Sequence, residues 1–178
     1  TGITKFTQIS LFSVLNTLSN ISFYNCYATI CGLTKEEILE NLKDEIQALA
    51  AQKKWDIDQT MHELKDMYDG YHFSESLQGV YNPFSVICAL KERRLRPYWI
   101  ASGATEMLPK ILTNFEKDVE TLDGSLIDMD YIETADISKD NPKLALYQLG
   151  FLTIKDVIGE AYRLGFPNRE VNGFPPLR

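Results

Sequence analysis

Residues 140–166 read DNPKLALYQLGFLTIKDVIGEAYRLGF, and their order of residue types decides the fold at this end of the chain. A polar cap, Pro142, a short apolar-rich run and Gly150 have the grammar of a helix with a marked start and stop. Two extended segments follow and turn about Ile158-Gly159, which reads as a hairpin. Helix, glycine and then hairpin is the order of a winged-helix unit.

The rest of the chain reads mainly as helix. In LTKEEILENLKDEIQALAAQ, Thr34 and Glu37 form a capping box, and Ile38, Leu42, Ile46 and Leu49 line one face of a single helix. DIDQTMHELKDMYDG follows, with Asp58 as the expected cap, Met61 and Leu64 facing inward, and Gly70 as the stop. YHFSESLQGVY reads as two short strands around a loop. Asn82 is a natural N-cap and Pro83 a first helical residue, and Lys91, Arg93 and Arg94 fall in the last turn of that helix. PYWIASG is short and apolar, with Ser102 or Gly103 expected to cap the next helix. Gly124 is expected to stop another helix, and SLIDMDY reads as a strand. QISLFSVLNTL carries a helical stripe of Ile9, Phe12, Leu15 and Leu18. The fold class is therefore α+β, mainly α, with short β-hairpins and a C-terminal winged-helix-like unit.

Composition narrows the function classes. The chain has 178 residues, 44% of them apolar and 24% charged, with a net charge of −7. A field of that sign repels nucleic-acid phosphates unless its cations are gathered on one face. No apolar run approaches the roughly 20 residues that cross a membrane. The N-terminus has no basic start followed by an apolar stretch, so no signal peptide is expected. Cys26, Cys31 and Cys88 are odd in number and form no C-x-x-C pair. They are expected to be buried free thiols in a reducing, cytoplasmic setting.

Catalytic signatures are absent. No G-x-x-x-x-G-K-[ST] phosphate loop and no G-x-S-x-G elbow occurs. His62 sits mid-helix among charges, and His72 lies between Tyr71 and Phe73 and, if that segment is a strand, faces away from both. Neither belongs to a metal-binding pattern. Asp128, Asp130, Glu133 and Asp136 are expected to form an exposed acidic face. LKERRLR, residues 90–96, is the one basic cluster; it reads as a phosphate or nucleic-acid contact or, the preferred reading, as a solvated helix end that offsets the dipole.

Seven strings occur in order: TGITKF at the start, YATICGLTKEEI (27–38), MYDGYHF (67–73), VYNPFSV (80–86), YWIASG (98–103), YQLGFLTIK (147–155) and YRLGFPNREV (162–171). Together they resemble a family of AAA-ATPase-like proteins of anaerobic bacteria, in which a PD-(D/E)XK nuclease-like domain often follows. Each string is short, but the set spans nearly the whole chain and departs from the family only at the terminal NGFPPLR. The resemblance implies the C-terminal part of an ATPase module. Residues 1–26 would be a remnant of the ATPase core, 27–139 a helical lid-like region with a small hairpin, and 140–178 the winged-helix-like unit. The Thr-Gly start and the Pro-Pro near the end lead to the expectation that both ends are cut from a longer protein. An ATPase core would precede the chain and the nuclease-like domain would follow it.

By the same resemblance, Thr1 and Thr4 are the nucleotide-sensing candidates, since a hydroxyl can bond phosphate or orient water. ATP and magnesium are implied for the longer protein, and this chain alone is expected to be catalytically inactive. Two other functions stay open. One is a winged-helix nucleic-acid module, with Lys155 and Arg163 touching phosphate. The other is a protein-interaction domain using the aromatics around Tyr71 and Trp99. Tyr68, Asp69, Tyr71, Phe73, Asn82 and Trp99 are the candidates for a contact surface or a structural joint.

Overall fold

The computed structural model describes residues 21–102, 122–134 and 142–173. Among these residues the chain is α+β and mainly α, with eight helices and one three-stranded antiparallel sheet. The helical part contains α1 (Lys35–Asn41), α2 (Lys43–Lys53), α3 (Ile57–Tyr68), α4 (Pro83–Glu92) and the single turn α5 (Tyr98–Ala101). The C-terminal part contains β1 (Leu126–Asp128), α6 (Met129–Thr134), α7 (Pro142–Gln148), β2 (Thr153–Ile158), β3 (Ala161–Gly165) and α8 (Arg169–Asn172).

The capping box is present: Glu37 N–H donates to Thr34 Oγ1 at 3.2 Å, and Thr34 N–H donates to Glu37 Oε2 at 2.8 Å. The expected single helix that follows is instead two, broken at Leu42, whose φ of −123° and ψ of 29° lie outside the helical basin. The break lets Ile38 on α1 and Ile46 and Leu49 on α2 enter one core while Leu42 stays half-buried. The cap of α3 is Asp56, not Asp58, with Asp56 Oδ1 accepting from Gln59 N–H at 2.6 Å. Asp58 lies in the first turn, where its charge suits the helix dipole. Asn82 caps α4 through Ser85 N–H at 3.2 Å, with Pro83 at its start. Of the three cations, only Lys91 lies in the last turn of α4; Arg93 is the left-handed C-cap at φ 55°, and Arg94 follows it.

Two further expectations need correction. SLIDMDY is a strand only through Asp128, because Asp128 Oδ1 accepts from Tyr131 N–H at 3.0 Å and caps a helix from Met129. YHFSESLQGVY is not a pair of strands but one antiparallel bridge, Tyr71 with Val80, since neighbouring groups bond elsewhere. PYWIASG contains α5, and Ser102 Oγ donates backward to Trp99 O at 2.6 Å. The QISLFSVLNTL stripe and the helices expected after Ser102 and before Leu122 lie outside the described residues.

The hairpin is present. β2 and β3 pair antiparallel around Gly159, whose φ of 60° supplies the left-handed turn residue. β1 pairs with the other edge of β3, so the order is β1-β3-β2, with α6 and α7 between β1 and β2.

Two apolar clusters underlie the fold. Ile38, Leu49, Leu64, Tyr68, Val86 and Leu90 join α1–α4. Ile127, Leu144, Phe151, Ile154, Leu164 and Val171 join the sheet to α7 and α8. Phe23 stacks on Tyr162 with ring centroids 5.7 Å apart, which pins the segment before α1 onto the sheet.

Candidate functional site

The end of α3 turns into the meeting point of the two clusters. Met61, Leu64 and Tyr68 face the helical core, and Tyr68 is fully buried. Its hydroxyl donates to Arg96 O at 2.9 Å and accepts from Arg96 N–H at 2.9 Å. Burial pushes the Tyr68 phenol well above its ordinary pKa. The chain then leaves the helix. The Asp69 carbonyl accepts from Asn168 Nδ2 at 2.9 Å, which ties it to the cap of α8. Gly70 follows at φ 93°, and a Cβ there would lie 2.3 Å from the Pro167 carbonyl oxygen.

Tyr71 pairs with Val80, and its buried hydroxyl lies among Asn82, Asn168 and the charge of Glu170. His72 crosses to the sheet. Its N–H donates to Thr153 Oγ1 at 2.7 Å, Thr153 Oγ1 donates to His72 O at 3.1 Å, and its Nδ1 lies 2.6 Å from Ile154 O. The Nδ1 contact assigns the ring hydrogen to that nitrogen. Burial lowers the His72 pKa, Lys155 adds to the effect, and the Ile154 carbonyl and Asp69 oppose it. Asp69 Oδ1 is buried, and it and His72 Nε2 both border Gly79. Lys155 Nζ donates to Pro167 O at 3.0 Å, and its burial lowers its pKa against the pull of Asp123 and Asp69.

A buried acid completes the junction. Glu170 on α8 accepts from Ser85 Oγ at 2.9 and 3.0 Å and from Trp99 N–H at 2.8 Å. One side chain thereby joins α8, α4 and α5.

An aromatic groove of about 570 Å³ opens beside this joint, with Tyr71, Phe73, Asn82, Phe84, Trp99 and Tyr147 among its walls. A smaller cavity of about 250 Å³ shares Phe73, Tyr147 and Cys31 with it. Phe84 is 48% exposed, whereas Tyr71 is 8% exposed. Of the expected cluster, Tyr68 and Tyr71 are thus buried and Asp69, Phe73, Asn82 and Trp99 half-buried, with Phe84 beside them as an exposed lip.

The structure brings Tyr68, Asp69, Tyr71, Phe73 and Asn82 together, and Trp99 joins them through Glu170 and the groove. Thr1 and Thr4 lie outside the described residues. Lys155 and Arg163 are engaged within the protein, Lys155 with Pro167 and Arg163 with Asp156. His62 is on the surface beside Asp66. Cys26 and Cys31 are exposed, contrary to the expectation of buried thiols, because the segment before α1 is a run of surface turns. Asp128 and Asp130 are exposed, and Asp136 lies outside the described residues.

Sequence reasoning missed Glu170, Ser85 and Thr153, whose partners lie more than 70 residues away. Asn168, two residues before Glu170, is a visible cap signal that points to α8.

The arrangement fastens α3, α4, α5, α8 and the sheet to one another. His72 bonds a backbone carbonyl, and the Ser85 hydroxyl donates to the buried Glu170 carboxyl. Among the described residues, no group of three His, Cys, Asp or Glu side chains could hold a metal ion. No helix among them is long and apolar enough to cross a membrane.

No family model matches the chain, and no solved structure matches it. A protein of Azotobacter chroococcum mcd 1, described as an uncharacterized protein in the vnfD 5' region, is 31% identical over 174 residues. The match covers 96% of this chain and 31% of that protein, so the chain spans about a third of its relative's length.

Proposed function

We propose that this chain is a coupling module of a larger nucleotide-dependent protein, in which a lid-like helical bundle and a winged-helix-like unit move as one piece. The segment 68–73 carries the proposal. Within six residues it bonds Arg96, Asn168, Val80 and both Thr153 and Ile154. A strain that enters at α3 is passed to the sheet and to α8 without crossing a loose loop. The seven matching strings add the nucleotide: ATP and magnesium would bind in an ATPase core outside this chain, and Thr1 and Thr4 would report on them. A cytoplasmic setting belongs to the same proposal, and the three free cysteines are compatible with it.

The test uses the whole protein. Amide exchange at residues 68–73 and in β2 should change when ATP and magnesium are added. An unchanged pattern across both segments overturns the coupling role. The isolated 178-residue chain should show no ATP turnover, and turnover by it would overturn the assignment equally.

A protein-interaction role is the second reading, and the half-exposed Phe84 at the lip of the groove favours it. Duplex binding draws no support, because Lys155 and Arg163 are already paired.

A further inference from the structure

The buried acid of α8 has an unusual set of neighbours. Glu170 is 1% exposed. The donors that reach it are neutral: the Ser85 hydroxyl and the N–H groups of Trp99 and Ile100. The adjacent cation, Arg169, turns away and donates to Glu63 Oε2 at 3.0 Å. From α3 the titratable neighbour is Tyr68, and from the segment after it Tyr71, both held as neutral phenols by burial. From α4 it meets Ser85, and from α5 the two backbone N–H groups. An ionised carboxylate buried among neutral donors carries a desolvation cost that a paired cation would offset.

We infer that Glu170 is a proton-operated latch: α8 closes firmly on α4 and α5 when the carboxyl is protonated and opens more readily when it is ionised. Both states find partners. The ionised group accepts from Ser85 and Trp99. The neutral group still accepts from Trp99 N–H and donates its own hydrogen to Ser85 Oγ. What differs is the cost of keeping a charge inside. The latch does not rest on the nucleotide reading.

The direction of the effect follows from linkage. Burial pushes the Glu170 pKa from its ordinary 4.5 up to about 7, against the downward pull of its donors. When α8 opens, the carboxyl meets water and its pKa returns toward 4.5. The stabilising contribution is therefore complete below 4.5 and is lost as the pH rises through about 7. Within that window the opening constant rises by at most about tenfold per pH unit, and above it the rise stops.

Amide exchange at Val171, Asn172 and Gly173 tests this, corrected for the intrinsic pH dependence of exchange and read near pH 5 and near pH 7.5. The unmodified protein should show an opening constant that rises more than about tenfold between the two, and Glu170→Gln should hold it within about twofold. His72 and Lys155 keep their own titrations in the variant, so their contribution remains and can be separated. An equal rise in both proteins, or no rise in the unmodified one, overturns the latch. Should Glu170→Gln fail to fold, the carbon-13 titration of the Glu170 carboxyl in the unmodified protein decides. A midpoint near neutrality that moves in step with the Trp99 N–H resonance supports the latch, and a midpoint in the ordinary carboxylate range overturns it.

Discussion

A methyl group at position 70 has nowhere to go. Gly70 holds φ at 93°, and its added Cβ would meet the Pro167 carbonyl oxygen at 2.3 Å. Left-handed strain and a backbone clash act together here. Gly70→Ala should cost roughly 2–4 kcal/mol in denaturant unfolding. A cost below about 1 kcal/mol would mean that α3 and α8 are not held together at this residue. Tyr71 tests the neighbouring wall. It is buried against Val80 beside the groove, and Tyr71→Ala should lose about 3 kcal/mol or more. An unchanged melting temperature would leave the aromatic cluster as a contact surface and not a joint.

At the scale of elements, the helix caps offer direct measurements. Thr34 and Glu37 bond reciprocally at the start of α1, and Thr34→Ala should lose about 1 kcal/mol. Arg93 ends α4 in the left-handed region at φ 55°. Arg93→Gly relieves that strain and should stabilise the protein by roughly 0.5–1 kcal/mol, read as a rise in unfolding midpoint at constant slope. These caps are also where the sequence is most legible, because a cap is a contact between residues three apart. Asn82 with Pro83, Thr34 with Glu37 and the turn at Gly159 all have local causes. The break at Leu42 has no proline or glycine to announce it and follows from which side chains must share a core. The choice of Asp56 over Asp58 is a competition between two adequate caps. Residues 71–81 carry β-type side chains, yet His72 bonds to β2 and Tyr81 to Leu33, so the expected hairpin shrinks to one bridge. Within the joint, Tyr68, Asp69 and Tyr71 could be picked out as aromatics and turn residues. Glu170 could not, since Ser85 and Trp99 meet it only after folding.

For the whole molecule, charge and its placement govern recognition. A net charge of −7 disfavours polyanions, and Lys155 and Arg163 are both committed to internal partners. Micromolar protein should therefore produce no salt-dependent shift of duplex DNA even at low ionic strength. A shift that weakens steeply with added salt would restore the nucleic-acid reading. The sheet has a consequence of its own. A three-stranded sheet exposes two rims, each a template on which a foreign strand could grow. Along β2, His72 Nδ1 lies 2.6 Å from the Ile154 carbonyl while its backbone N–H bonds the Thr153 side chain, with a register shift further on between Ile154 and Asp156. Along β1 the rim is only three residues long, and Lys143 Nζ reaches the Leu126 carbonyl at 3.2 Å. Backbone zippering is thus blunted on both sides, and self-association through this sheet would have to proceed by side chains meeting side chains.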